Sequence, residues 1–160
     1  MMKKSLLSTA VISFVIGVLA AVFFPMASAA FVQAHSERTL HVIDHSSKEA
    51  FLDVPPKGPS LGDQFYFNDP VFDASNKNKI GTDQGICFQM VRGHSNECHW
   101  TTYLPEGQIT VEGPFDFPAD SILAILGGTG AYKDARGQMR LHARDPQGAQ
   151  FDFFFELEFE

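Results

Sequence analysis

Basic residues are scarce in this chain. Twelve Lys and Arg stand against 19 Asp and Glu in 160 residues, and nowhere do they cluster. That excludes the electrostatic footprint of a nucleic-acid binder or of a protein held on an anionic membrane surface. Cysteine is equally thin, with only Cys87 and Cys98. Two cysteines cannot staple a disulfide-dense scaffold, and together with His94 and His99 they match no standard zinc spacing. The six histidines, His35, His41, His45, His94, His99 and His142, fall on no helical pattern that would pair them for a metal. No Gly-Lys-Ser/Thr follows Gly127-Gly128-Thr129-Gly130, so that glycine cluster is a turn and not a phosphate loop. A Ser or Cys nucleophile motif is missing as well. No metal and no cofactor is expected. Helical periodicity is nearly absent, and there is no internal repeat and no low-complexity segment.

What is present begins with an export segment. Lys3 and Lys4 give a charged start, Leu6 to Phe24 carries no charge, Pro25 breaks the run, and Ala27-Ser28-Ala29 suits signal peptidase. The pattern predicts cleavage after Ala29 and a secreted or periplasmic protein. The alternative is an uncleaved anchor, the one route by which this chain would touch a membrane. Residues 30–160 then form one domain, long enough to bury a core.

Strand signals dominate that domain. Phe151, Phe153, Phe155, Leu157 and Phe159 alternate with Asp152, Phe154, Glu156, Glu158 and Glu160, giving one apolar face and one mainly acidic face. Met139, Leu141 and Ala143 alternate with Gln138, Arg140, His142 and Arg144. Phe65 and Phe67 share a face of Gly62 to Asp69, and Leu40 and Val42 share a face of Arg38 to Asp44. Gln84 to Arg92 and Glu97 to Leu104 are further strand-like runs. Pro-, Gly- and Asn-rich clusters separate them, and Asp145-Pro146-Gln147-Gly148 reads as a hairpin turn. Seven or eight short strands argue an all-β fold. A closed antiparallel barrel of about eight strands, lipocalin-like in outline, removes exposed edges and is just wide enough for one small ligand. Thirteen of the sixteen phenylalanines lie beyond residue 29, enough to build a dense core or an aromatic pocket.

Cys87 and Cys98 fall on one hairpin, whose register has two solutions. With the turn centred on Gly93 to Asn96, Cys87 faces Thr102 and the sulfurs lie roughly 13 Å apart at ~3.3 Å per residue. With Gln89 opposite Asn96, Cys87 faces Cys98 and a bridge forms.

Strand parity also locates chemistry. Asp44 shares the face of Leu40 and Val42, and Asp69 that of Phe65 and Phe67. A carboxylate on an apolar face either reaches water at the strand's end or is buried with a partner. The functional version points both into a barrel mouth with raised pKa values or a cationic partner, for which Arg136 is the candidate.

The run Ile109 to Pro114, followed by Ile122 to Tyr132 and then Ala135-Arg136-Gly137-Gln138, resembles the second half of the allene oxide cyclase barrel. Gly127 to Tyr132 and Ala135-Arg136-Gly137 equally resemble dirigent proteins, which share that barrel. Leu61-Gly62-Asp63 and Gly85-Ile86-Cys87 are similar to cyclase strands, and the resemblance implies that Cys87 lines the cavity. It sets Asp44 at the family's catalytic glutamate and Asp69 at a cavity asparagine, two departures from the cyclase pattern. Phe67-Asn68-Asp69-Pro70-Val71 resembles the dirigent Phe-Asp-Asp-Pro-Leu strand, which implies that Asn68 and Asp69 face the pocket. Related barrels are trimers, so the resemblance implies a homotrimer.

These observations together predict a barrel that holds a small apolar ligand and steers its cyclisation or coupling. Asp44, Asp69 and Arg136 are the expected catalytic residues. Phe65, Phe67, Asn68, Cys87, Phe151, Phe153 and Phe155 are the expected ligand contacts. The alternatives are a non-catalytic carrier of an apolar metabolite and a structural barrel filled by its own side chains.

Overall fold

Alternating apolar and polar residues become strands wherever the pattern predicted them. The computed structural model describes residues 36–47 and 49–159. The expected export segment, residues 1–29, lies outside the described residues. Among the described residues the strands are β1 (Ser36–His45), β2 (Glu49–Leu52), β3 (Gln64–Asp73), β4 (Lys79–Val91), β5 (Ser95–Leu104), β6 (Gly107–Phe115), β7 (Ser121–Gly128), β8 (Arg136–Ala143) and β9 (Gln150–Phe159). One short 3₁₀ turn, Gly130–Tyr132, follows β7. The short β2 had no sequence signal, because all four of its residues are exposed and none alternates.

β3 to β9 form an antiparallel meander, and β1 closes it. One edge of β1 pairs with β9 from Ser36↔Phe159 to His45↔Gln150, and the other pairs with β3 from Val42↔Asp73 to Asp44↔Val71. Eight strands therefore make a closed barrel. β2 takes up the rest of the same β3 edge, from Glu49↔Phe67 to Leu52↔Gln64. β1 and β2 thus act as one interrupted strand, and Ser47 in the interruption lies beside Asp69.

Closure sends one parity of every strand inward. At one end the interior is solid, with Ile109, Leu123, Met139, Phe155 and Leu157 almost wholly shielded from water. The 3₁₀ turn tucks the buried Tyr132 under that end, with Arg38 over its ring. The turn needs its glycines. A Cβ on Gly128 would lie 2.4 Å from the Gln108 carbonyl oxygen, and Gly130 holds φ +61°. At the other end Gly85 has the same use. Its Cβ would sit 2.4 Å from the Trp100 Cβ and 2.6 Å from Phe67 Cζ, so only glycine admits both rings.

The β4–β5 hairpin adopts the second of its two registers. Gln89 stands opposite Asn96, Cys87 faces Cys98, and the two form a disulfide. A register shift between Gln89 and Val91 absorbs the odd residue, which turn counting alone does not anticipate.

Phe155, expected as a ligand contact, belongs to the solid end and packs edge-on against Phe153 at 6.3 Å. Truncating it to alanine should destabilise the barrel by about 3–5 kcal/mol, the usual range for a buried Phe. Urea unfolding checks this, and small-ligand affinity should move little in the same variant.

Candidate functional site

Above the solid end the interior opens into a cavity of about 290 Å³. That is nearly twice the ~150 Å³ that accommodates benzene in an engineered core. Its wall is aromatic. Phe67 meets Trp100 edge-to-face at 5.9 Å, Trp100 tilts over Phe153 at 5.5 Å, and Phe115 meets Phe151 edge-on at 5.7 Å. Edge-to-face and tilted contacts of this kind are the favoured geometries for aromatic pairs. The Cys87–Cys98 disulfide forms another part of the wall. Ser46 from the β1–β2 link, Glu49 at the start of β2, and Gln147 and Gly148 from the β8–β9 link also border the cavity. The Ser46 backbone N–H donates to the Ala149 carbonyl at 3.1 Å and ties the two links together.

Three carboxyl groups meet on one side of this chamber. Asp44 on β1, Asp69 on β3 and Asp83 on β4 are all buried, each offering an oxygen within 4.8 Å of the others. Register explains the meeting: Asp69 is the cross-strand partner of Asp83, and Asp44 pairs with Val71, two residues along from Asp69. Asp44 and Asp69 line the cavity, whereas Asp83 lies in the wall behind them. The β1–β2 interruption supplies donors to Asp69. The Ser47 backbone N–H donates at 2.6 Å and the Ser47 hydroxyl at 3.0 Å.

Asp44 and Asp83 are held differently. Asp44 Oδ1 and both Asp83 oxygens are buried with no donor facing them. Contact between two carboxyl groups becomes a hydrogen bond only when one carries a proton. Burial pushes both groups far above the ordinary carboxylate range. The Asp83 and Asp69 charges push Asp44 further, and the Asp69 charge does the same to Asp83. Asp44 therefore faces the cavity as a neutral carboxylic acid at neutral pH. Trp100 Nε1 and Thr102 Oγ1 are further buried polar atoms without a protein partner. Trp100 borders the chamber, and Thr102 stands directly opposite Asp83.

The sequence-derived residues divide accordingly. Asp44, Asp69, Phe65, Phe67, Cys87, Phe151 and Phe153 all border the cavity. Asn68 does not: it alternates outward between Phe67 and Asp69 and is exposed. Arg136 is exposed at the solid end, with its Nη1 donating to the Ala135 carbonyl at 2.9 Å. It stands opposite Glu158 on β9, whereas Asp44 stands opposite Phe151, roughly 20 Å along the strand at ~3.3 Å per residue. Arg136 is therefore no partner to the acids. Sequence reasoning had no register to measure that separation. Two residues were missed, though a signal for each existed. Asp83 shares parity with Gly85 and Cys87, and Trp100 with Cys98, so an inward cysteine places both inside.

An aromatic chamber with a buried acid in its wall is the feature that this fold presents. Residues 41–151 match the model of the allene oxide cyclase barrel-like domain, and the chain belongs to that family. Among solved structures it is similar to a pyocyanin demethylase, with 23% identity and a TM-score of 0.63 over 74% of this chain and 100% of the other. It is similar to the Diels-Alderase AbmU from Streptomyces koyangensis, with 17% identity and a TM-score of 0.60 over 82% of this chain and 72% of the other. A pterocarpan synthase dirigent protein matches with 16% identity and a TM-score of 0.61 over 79% of this chain and 85% of the other. At these identities the likeness is one of fold.

The buried acids set a pH dependence of stability. The unfolded chain releases the Asp83 proton near its ordinary value of 3.8, and the folded chain holds it to much higher pH. Between those limits the unfolded state binds fewer protons, so the contribution of Asp83 to stability is most favourable below about pH 4 and declines as pH rises. Asp83→Asn removes the penalty. It should gain roughly 2 kcal/mol or more over the parent at pH 8, with the gain vanishing near pH 4. Urea denaturation at the two pH values measures it.

Proposed function

We propose that this protein is an exported barrel that binds one small, largely apolar molecule and steers its cyclisation or coupling. The observation that carries the proposal is Asp44, an acid that burial holds neutral on the wall of an aromatic chamber. A carboxylic acid in that setting donates its proton to an oxygen or to an electron-rich carbon of the bound molecule. Asp44 becomes a carboxylate as the molecule becomes cationic, and the two charges form side by side in a medium that water does not screen. The rings do the rest by confining the intermediate to one conformation, which removes the entropic part of the barrier.

The relatives of similar fold include a Diels-Alderase and a dirigent protein, and guidance of ring closure or coupling is in keeping with both. The open chamber argues against a barrel filled by its own side chains. Export is supported by the Ala27-Ser28-Ala29 site and by the Cys87–Cys98 disulfide, a bond that persists in oxidising compartments. Assembly as a trimer is part of the same proposal.

The test begins with native mass spectrometry of the purified protein, which should reveal a bound small molecule. With that molecule or its precursor as substrate, Asp44→Asn should keep binding within a few-fold and lower turnover or stereocontrol roughly 10²–10⁴-fold, the usual contribution of a positioned acid. Binding without any effect of Asp44→Asn on product would make the protein a carrier.

A further inference from the structure

Six of the nine large apolar side chains exposed among the described residues gather in one place, on the outer rim of the chamber's mouth. They are Phe51 and Leu52 on β2, Leu61 in the β2–β3 loop, and Phe88, Met90 and Val91 at the end of β4. Register assembles them. Leu52 and Phe88 both stand opposite Gln64, one from each side. Before Gln64 the chain already runs along β4. The Gly62 N–H donates to the Gln89 carbonyl at 2.9 Å, and the Gln89 N–H to the Asp63 carbonyl at 2.8 Å, which sets Leu61 beside the Met90–Val91 end. Phe51 also borders the cavity, so rim and chamber are continuous. The patch draws on three separate segments, and no run of the sequence announces it.

The loop that presents Leu61 is held from within. Asp63, only 2% exposed, accepts from the Val54 N–H at 2.9 Å, the Ser60 N–H at 2.8 Å and the Ser60 hydroxyl at 2.9 Å. This buried acid takes no part in the chamber. It folds the loop in a form that leaves Leu61 67% exposed. The six side chains together expose roughly 600 Å², the upper end of what one patch on a soluble monomer shows.

Charge at this rim departs from the rest of the chain. Acids outnumber Lys and Arg by 19 to 12 overall. Residues 53–63 and 91–95 instead carry Lys57, Arg92 and His94, all exposed. Their acids are the buried Asp63 and Asp53, which lies 3.8 Å from Lys57.

We propose that the rim docks on a phospholipid surface, with the six apolar side chains in the acyl boundary and Lys57 and Arg92 at the phosphates. Apolar side chains flanked by long basic ones match the layering of that boundary. A two-fold contact with a second copy matches it poorly, because it sets Lys57 and Arg92 against their own equivalents. The inference draws its purpose from the small-molecule chamber, since an apolar ligand that concentrates in lipid then enters without crossing water. Docking itself is measured with no ligand present, so its failure and the failure of the chamber are separate results.

Co-sedimentation with phosphatidylcholine vesicles tests the proposal, on protein whose N-terminus, read by mass spectrometry, lies beyond the export segment. The parent should sediment with the vesicles. Leu61→Asp combined with Met90→Asp should lower partitioning about tenfold or more, in keeping with the loss of two apolar anchors. Lys57→Glu with Arg92→Glu should lower it several-fold. Ile122→Asp, at an exposed apolar position on β7, should leave it within about twofold. All five positions are exposed, and unchanged urea midpoints show that the variants fold. A parent that stays in solution at millimolar lipid, or binding that the Leu61/Met90 variant does not move, overturns the proposal. Sedimentation velocity then tells what covers the rim: conversion of an oligomer to monomers by that variant assigns it to a second copy. Retained uptake of a small apolar molecule in either case leaves the chamber reading intact.

Discussion

Closing the barrel through β1 forces three carboxyl groups into one dry corner, and most of the site's behaviour follows from that constraint. β1 must pair with β9 along its whole length and with β3 near its end. That register fixes Asp44 beside the Asp69–Asp83 cross-strand pair. A different closing register would turn Asp44 outward, because strand side chains alternate with a period of two. Nothing about the acids needs to be flexible or induced. Their mutual repulsion is built in by the same hydrogen bonds that close the sheet.

The arrangement places stability and function in opposition. A buried carboxyl group is destabilising at neutral pH unless it keeps its proton or gains donors. The protein treats the three differently. Asp69 receives two donors from Ser47, at the interruption that separates β1 from β2. Asp44 and Asp83 are more poorly supplied with donors and are raised by burial instead. The solid end supplies compensation. Leu123, Met139, Phe155 and Leu157 are buried there, and Tyr132 closes the base. One half of the barrel is thus a core, and the other half is a wall that leaves polar atoms unsatisfied.

The fold was largely legible because alternation is a local signal. Phe151 to Phe159 announces its own inner face, and parity alone put Asp44 and Asp69 inside. Arg136 was misplaced for the complementary reason. Its sequence motif says nothing of height along the barrel, and height depends on pairing between strands far apart in the chain. The cysteines show the same limit at short range. Two hairpin registers were open, and a one-residue irregularity near Val91 decided between them. Asp83 and Trp100 were within reach of parity, since each shares a face with a cysteine. β2 was not, because a fully exposed edge strand carries no apolar pattern to read. Asn68 shows the hazard of motif over parity: its neighbour Asp69 faces in, so Asn68 faces out.

What distinguishes this chamber from a generic apolar pocket is that its polar groups are fixed before a ligand enters. In water a carboxylic acid loses its proton near pH 4, and the resulting charge is dissipated by solvent that must reorganise during any reaction. Here burial keeps the proton on Asp44, and the neighbouring Asp83 and Asp69 carboxyl groups add to the cost of losing it. The rings of one wall and the acids of the other are both set by strand register, before anything occupies the space between them.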